Sequence, residues 1–413
     1  MTVDRALIHK IAAEELEAGA KFLMDMIRYP STPGQENELM HFIEKEIKPL
    51  ADKVERVGFP ADFRNDPEYS FPIEGIDYEG RFNLRVVIGD DSVKSPSLIF
   101  NAHTDVVPAS ENQPRAFDPE RKDGVIYGRG ACDDKGSVAT LYMLARILKR
   151  LPAKPKAKIV LHLVNEEENG GNGTLNMIRT GEKADAFVVM EPTRGRLMPS
   201  VRGAVWFRVK FRGLAGHVGS AGKTVSALKL AVEAIELLEQ FHAETLAASR
   251  GIQFFDDYPN PMPINFGRLN AGVWPASAPN AAVLEGVMGL LPNLTREQIM
   301  EGMERTLRER GSEKLRDNFS FEFMYRHDSH VTDPGHKVVK TLQKAVQNAG
   351  MSGELTGMVA SCDSNYYSNF LKMPGVVFGP GDLIVAHGAD EQIEVAQLAQ
   401  AASAMAQLAC EWE

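Results

Sequence analysis

The chain has 413 residues, 44% apolar and 25% charged, an ordinary globular balance in a chain long enough for two cores. A formal net charge of −10 argues against nucleic acid or an anionic membrane surface as the main partner. Three scattered cysteines, Cys132, Cys362 and Cys410, are too few for a disulfide framework and suit a reducing cytosol.

Residues 1–27 carry acids throughout and lack a continuous apolar core, so they read as an amphipathic helix and not as a signal peptide or membrane span. No other stretch reaches transmembrane length, and a cytoplasmic location is expected. A second amphipathic helix follows a turn, with Ser31 or Thr32 near its start; residues 58–81 are acidic and rich in Pro and Gly. Apolar strands are expected at 82–89, 97–107, 158–164 and 184–190, with helices at 136–151 and 172–182 between them. Such alternation predicts an α/β layer, a mostly parallel sheet flanked by helices, whose ligand site lies at the carboxyl ends of the strands.

The texture changes near residue 200. Strands at 205–213, 263–272, 280–292 and 319–326, with amphipathic helices at 224–244 and 295–311, describe a small antiparallel sheet carrying two helices. The α/β alternation then resumes at 333–350 and 375–381. The expected organisation is a discontinuous first domain, residues 1–199 and 328–413, with an α+β domain inserted at 200–327.

Polar oddities gather where the strands end. His103 and Asp105 stand two apart, and so share one face of an extended chain. Asp133 and Asp134 precede a helix start, Glu166, Glu167 and Glu168 follow a strand, Glu191 ends another, and His387 precedes a late helix. Each has an ordinary explanation: a hydrogen-bonded pair, a helix cap, a solvated acidic loop, a surface acid before a proline. Together they do not. Carboxylates and imidazoles crowded at one sheet edge repel or stay undersolvated unless a cation neutralises them. Two histidines and three or four carboxylates, without cysteine, suit a pair of zinc-like ions, which polarise a carbonyl and supply hydroxide near neutral pH.

In order along the chain, His103-Thr-Asp105-Val-Val-Pro, Gly-Arg-Gly-Ala-Cys-Asp133-Asp-Lys-Gly, Glu166-Glu167-Glu168-Asn-Gly-Gly, Glu191-Pro-Thr and His387-Gly resemble the dinuclear zinc hydrolase family of acetylornithine deacetylase, succinyl-diaminopimelate desuccinylase, aminoacylase and carboxypeptidase G. The resemblance makes the first domain catalytic and the inserted one a lid or dimerisation domain. It implies two divalent ions, zinc first, with cobalt or manganese as substitutes. It assigns His103 and Glu191 to one ion, His387 and Glu168 to the other, and Asp133 to a bridge between them. Glu167 resembles the general base, and Asp105 the group that orients His103 through its ring N–H. His217, in "FRGLAGHVGSAG", resembles a histidine that stabilises the oxyanion, often across a dimer interface, which implies a homodimer through the inserted domain.

Three features depart from the family, one of them Val-Met in the strand "LEGVMGLLP" where charged residues are common. Glu166 stands where Asp is common, which leaves the register of base and ligand open by one residue. The segment "ASCDSNYYSN" lacks the arginine that holds a substrate carboxylate in many members. The resemblance implies hydrolysis of an amide bond in a small N-acyl amino acid or N-acyl amine. The alternatives are a dipeptidase or carboxypeptidase, or an amidase or deaminase on an aromatic amine, with the same machinery. A non-catalytic binding protein fits less well, because neither base nor ligands are lost.

Overall fold

Strands buried on both faces must be covered by helices on both sides. Ser97–His103 and Lys158–Val164 are buried at every position. The computed structural model describes residues 4–413 apart from 218, 220 and 221. Its strands, in chain order, are β1 Lys53–Gly58, β2 Phe82–Ile88, β3 Ser97–His103, β4 Glu120–Lys122, β5 Val125–Tyr127, β6 Lys158–Val164, β7 Ala186–Val189, β8 Leu197–Val201, β9 Gly203–Arg212, β10 Ile264–Ala271, β11 Ala281–Leu290, β12 Phe319–His327, β13 His330–Val331, β14 Leu355–Met358, β15 Gly375–Val377 and β16 Gln392–Glu394.

Nine of these form one mixed sheet in the order β1-β2-β6-β3-β7-β15-β8-β13, with β14 on β8. The centre, β6-β3-β7-β15, is parallel, whereas β1, β2 and β13 add antiparallel margins. Register decides what this centre presents. His103 pairs with Val164, and Met190 N–H binds the Asn101 carbonyl, so β3, β6 and β7 end side by side. The residues that follow each strand therefore leave the sheet at one edge. Helices Leu16–Ile27, Lys135–Arg150 and Val395–Glu411 share one core beneath the sheet, and Leu175, Tyr366 and Tyr367 belong to the core on its other face.

A second sheet, β10-β11-β9-β12, is antiparallel throughout. Helices Ala227–Ala248 and Arg296–Arg310 cover it and enclose a separate core that includes Phe207, Leu238, Leu284 and Met303. Thr295 and Gln298 close the start of the second helix with a reciprocal capping box. A small third sheet, β16-β5-β4, ties the C-terminal region to residues 120–127.

Two local expectations change. The helix read over residues 1–27 is two helices, Arg5–Glu14 and Leu16–Ile27; residues 1–3 lie outside the described part. Glu15 joins them, and its buried carboxylate pairs with Arg146 and Arg150 of the facing helix. The strand expected over 97–107 stops at His103, because Thr104 turns its hydroxyl onto the Val164 carbonyl at 3.0 Å.

Phe187 on β7 is fully buried, and its ring stacks on Tyr367 with centroids 5.2 Å apart. Phe187→Ala should lower unfolding stability by about 3–5 kcal/mol, read from the denaturant midpoint. A loss below about 1 kcal/mol would contradict this account of the sheet core.

Candidate metal and catalytic site

β3 delivers His103 to the common edge almost fully buried. Its main-chain N–H binds Asp134 Oδ2 at 3.2 Å, and its ring Nε2 lies 3.0 Å from Asp133 Oδ1. The other oxygen of Asp133 lies 3.2 Å from His387 Nε2, which is itself 3.1 Å from Glu168 Oε1. One carboxylate thus faces two imidazoles, one oxygen to each. His103, Asp133 and Glu168 present donor atoms that all lie within 4.8 Å of one another, a group able to hold a metal ion.

Electrostatics at this edge are one-sided. Burial and the charges of Asp133 and Glu167 hold Glu191 well above the usual carboxylate range. Burial raises Glu167 as well, with Asp363, Glu168 and Asp105 adding to the rise. Asp133 goes the other way: burial would raise it, but the two imidazoles hold it low. Hydrogen bonds to Asp133 and Glu168 push His387 up to about 11. Among the described residues of the cluster, the imidazoles alone carry positive charge against Asp133, Glu167, Glu168 and Glu191. Oxygen and imidazole donors with an excess of negative charge fit divalent zinc, manganese or cobalt.

The acidic loop resolves by its partners. Glu166 adopts a left-handed backbone (φ 62°) and turns its carboxylate away, into Arg81 at 2.5 Å, Tyr78 Oη at 2.9 Å and Asn172 Nδ2 at 3.0 Å. Arg81 also binds Glu36 at 2.7 Å, and all three charged groups are buried. Asp105 accepts the main-chain N–H of Glu167 at 3.0 Å and of Glu168 at 3.1 Å. Its expected contact with His103 is altered as a result. The ring Nδ1 meets the Asp105 carbonyl oxygen at 3.0 Å, and the carboxylate stands at 3.5 Å, because two amides already claim its oxygens. Gly171 must be glycine: at φ +69° a Cβ would lie 2.4 Å from the Tyr366 ring and 2.5 Å from Asp363 Oδ1.

This arrangement agrees with what the chain is similar to. It matches the family described as "Peptidase family M20/M25/M40" over residues 99–411. The chain belongs to that family. The M20 chain is 27% identical over 349 residues to a protein named succinyl-diaminopimelate desuccinylase 2 from Ruegeria sp., covering 80% of this chain and 84% of the relative. It is 26% identical over 395 residues to one named acetylornithine deacetylase from Proteus mirabilis, covering 93% and 94%. In fold it matches the solved YXEP protein of Bacillus subtilis, described as a dinuclear metal-binding peptidase of the M20 family, with a TM-score of 0.61 and 16% identity over 96% of this chain and 98% of that one.

Not every expected residue of this M20 chain joins the cluster. His217 is exposed, bridged to Ser277, and accepts the Gly219 N–H at Nδ1, 3.1 Å away. Among the described residues it makes no contact with the His103–Asp133 group, because it sits on an open loop of the second unit; Val218, Ser220 and Ala221 beside it lie outside the described part. Asp134 is the N-cap residue of helix Lys135–Arg150 and supports β3, leaving Asp133 for the cluster.

Sequence reasoning missed several groups. Asp363 lies in the segment that lacks an arginine; it binds Thr174 Oγ1 at 2.6 Å, and burial pushes it up to about 6. Beside it, Ser361 joins Tyr325 at 2.8 Å and His327 at 3.3 Å, and burial holds His327 down to about 3. Glu36 and Arg81 carried no pattern at all, since positions 36, 81 and 166 meet only in space.

Arg81→Met leaves two buried carboxylates facing each other without their cation. Breaking such a pair on one side should lower stability by about 3–5 kcal/mol in denaturant unfolding. Wild-type stability in that variant would show that the acidic loop does not depend on Arg81.

Proposed function

We propose that this M20 protein is a metal-dependent amidohydrolase that removes the acyl group from a small N-acyl amino acid or N-acyl amine. The observation that carries this reading is Asp133 set between His103 and His387, with Glu168 at the second imidazole and Glu167 beside it on a braced loop. His103 and Glu191 would hold one ion and His387 and Glu168 the other, with Asp133 as the carboxylate they would share; zinc is the expected metal, with cobalt or manganese able to replace it. Bound divalent ions supply Lewis-acid polarisation of the scissile carbonyl and acidify a water.

The chain's own groups do the rest. Glu167 takes a proton from the attacking water and passes it to the leaving amine; burial strengthens its carboxylate as a proton acceptor. Asp105 holds the Glu167 and Glu168 amides and so keeps base and ligand side by side. The inserted unit acts as lid and dimerisation domain. Exposed Leu228, Val232, Leu269, Val273 and Trp274, together with the edge strand β10, support a homodimer through it. His217 then reaches the partner's site, where it stabilises the oxyanion. Three free cysteines support a cytoplasmic location, and no helix among the described residues is long and apolar enough to cross a membrane.

Metal analysis of protein purified without chelator should find two divalent ions per chain; full activity with none would remove the hypothesis. Glu167→Gln should cut turnover about 10²–10⁴-fold with metal content unchanged. Glu168→Ala should instead reduce occupancy of one ion. The reverse pattern would move the base by one residue. Assays with N-acyl amino acids, dipeptides and aryl amides separate the deacylase from the dipeptidase and aromatic amidase readings. Mixed, subunit-exchanged His217→Ala and Glu167→Ala chains should recover activity, since one hybrid site carries both native residues. Exchanged hybrids without activity would rule out His217 acting across the interface.

A further inference from the structure

Arg129 and Glu391 form an ion pair in which each residue is only 1% exposed, with Arg129 Nη1 2.5 Å from Glu391 Oε2. The other side-chain hydrogen bonds of this pair lead toward the cluster. The second oxygen of Glu391 accepts the main-chain N–H of Cys132 and of Asp133, both at 3.2 Å. The second terminal nitrogen of Arg129 donates to the His387 carbonyl oxygen at 3.2 Å and to Ser110 Oγ at 3.2 Å. Ser110 Oγ in turn donates to the same carbonyl at 3.3 Å.

His387 needs such a hold. Its backbone is left-handed (φ 62°), a conformation that a non-glycine residue keeps only when its surroundings impose it. Its side chain is 51% exposed, so packing does not fix the ring. Glu391, by contrast, is anchored: its carbonyl accepts the Gly128 N–H at 3.1 Å, and β16 directly after it pairs with β5, which ends two residues before Arg129.

We propose that Arg129 and Glu391 are positioning residues that lock the His387 loop against Asp133, so that the ion held by His387 and Glu168 depends on the Arg129 fork while the ion held by His103 and Glu191 does not. This rests on the two-ion reading above. The fork is the essential feature. A guanidinium can serve Glu391 and the His387 carbonyl at once, whereas an ammonium keeps the charge but not both directions.

The test uses full-length chain freed of metal and titrated calorimetrically with zinc, wild type against Arg129→Lys, with thermal melts of both metal-free proteins. Wild type should bind two ions. Arg129→Lys should melt with the wild type and bind one ion normally, the second about 10–100-fold more weakly, the usual effect of losing a group that orients a ligand. At saturating zinc its kcat should return toward wild type with KM unchanged. Equal affinity for both ions in the two proteins, or equal weakening of both, would overturn the inference. If Arg129→Lys does not fold, Ser110→Ala removes the other donor to the His387 carbonyl, and the same one-ion weakening is expected; unaltered binding there overturns the inference. A wild-type chain that binds fewer than two ions would defeat the two-ion reading first, and the inference with it.

Discussion

Negative charge confined at the end of a buried parallel sheet is the constraint on which the rest depends. The register of β6, β3 and β7 ends three strands at one edge, and Glu166–Glu168, His103 and Glu191 leave the sheet there together. Carboxylates placed so close in an interior would take up protons or swell the site apart unless positive groups restrained them. The fold restrains them from behind. Arg81 holds Glu36 and Glu166, and Arg129 holds Glu391. Buried Lys135 faces the same region but donates to the main-chain oxygens of Met26 and Tyr29, fixing the end of the preceding helix. The cations of the scaffold are thus spent on the carboxylates that support the cluster. Those that face its interior keep only imidazoles, and that imbalance suits the edge to hold a metal ion.

Much of the frame was legible in the sequence because burial leaves a trace in composition. The runs at 82–88, 97–103, 158–164 and 186–189 contain few polar residues, and they are strands. Alternation at 203–212 marked an antiparallel strand for the same reason. His103, Asp133, Glu168 and His387 were legible as a group only through their order along the chain, and the structure brings them together. Glu191 lies in the same electrostatic neighbourhood, affected by Asp133 and Glu167.

What was not legible was long-range and charged. Arg81 lies in a passage whose acids, prolines and glycines read as loop, and nothing at that position announces a partner 85 residues away. Glu391 lies four residues after His387 in a stretch with no pattern of its own; its contacts reach back to Cys132 and Asp133. Hydrogen-bond geometry is similarly invisible: Asp105 meets the His103 ring nitrogen through its carbonyl oxygen at 3.0 Å and its carboxylate at 3.5 Å. The same carboxylate also receives two amides that no pattern announced. His217 is a different case. The segment around it is recognisable, yet within one chain it stands on an exposed loop away from the cluster.

Asp105 also explains how adjacent residues come to face different neighbours. Glu167 and Glu168 follow each other within one turn after β6. A single carboxylate that receives both of their N–H groups fixes the two peptide planes together, at 3.0 and 3.1 Å. Glu166 before them is pinned by Arg81, and Gly170 and Gly171 after them adopt positive φ, which releases the chain into helix Asn172–Arg179. Between those two restraints neither glutamate can rotate its backbone independently. Glu168 meets His387, and Glu167 lies near His103, Asp363 and Asp105 without sharing the His387 contact. The difference in surroundings between Glu167 and Glu168 therefore rests on backbone hydrogen bonds. The identity of the two side chains does not decide it, for they are the same.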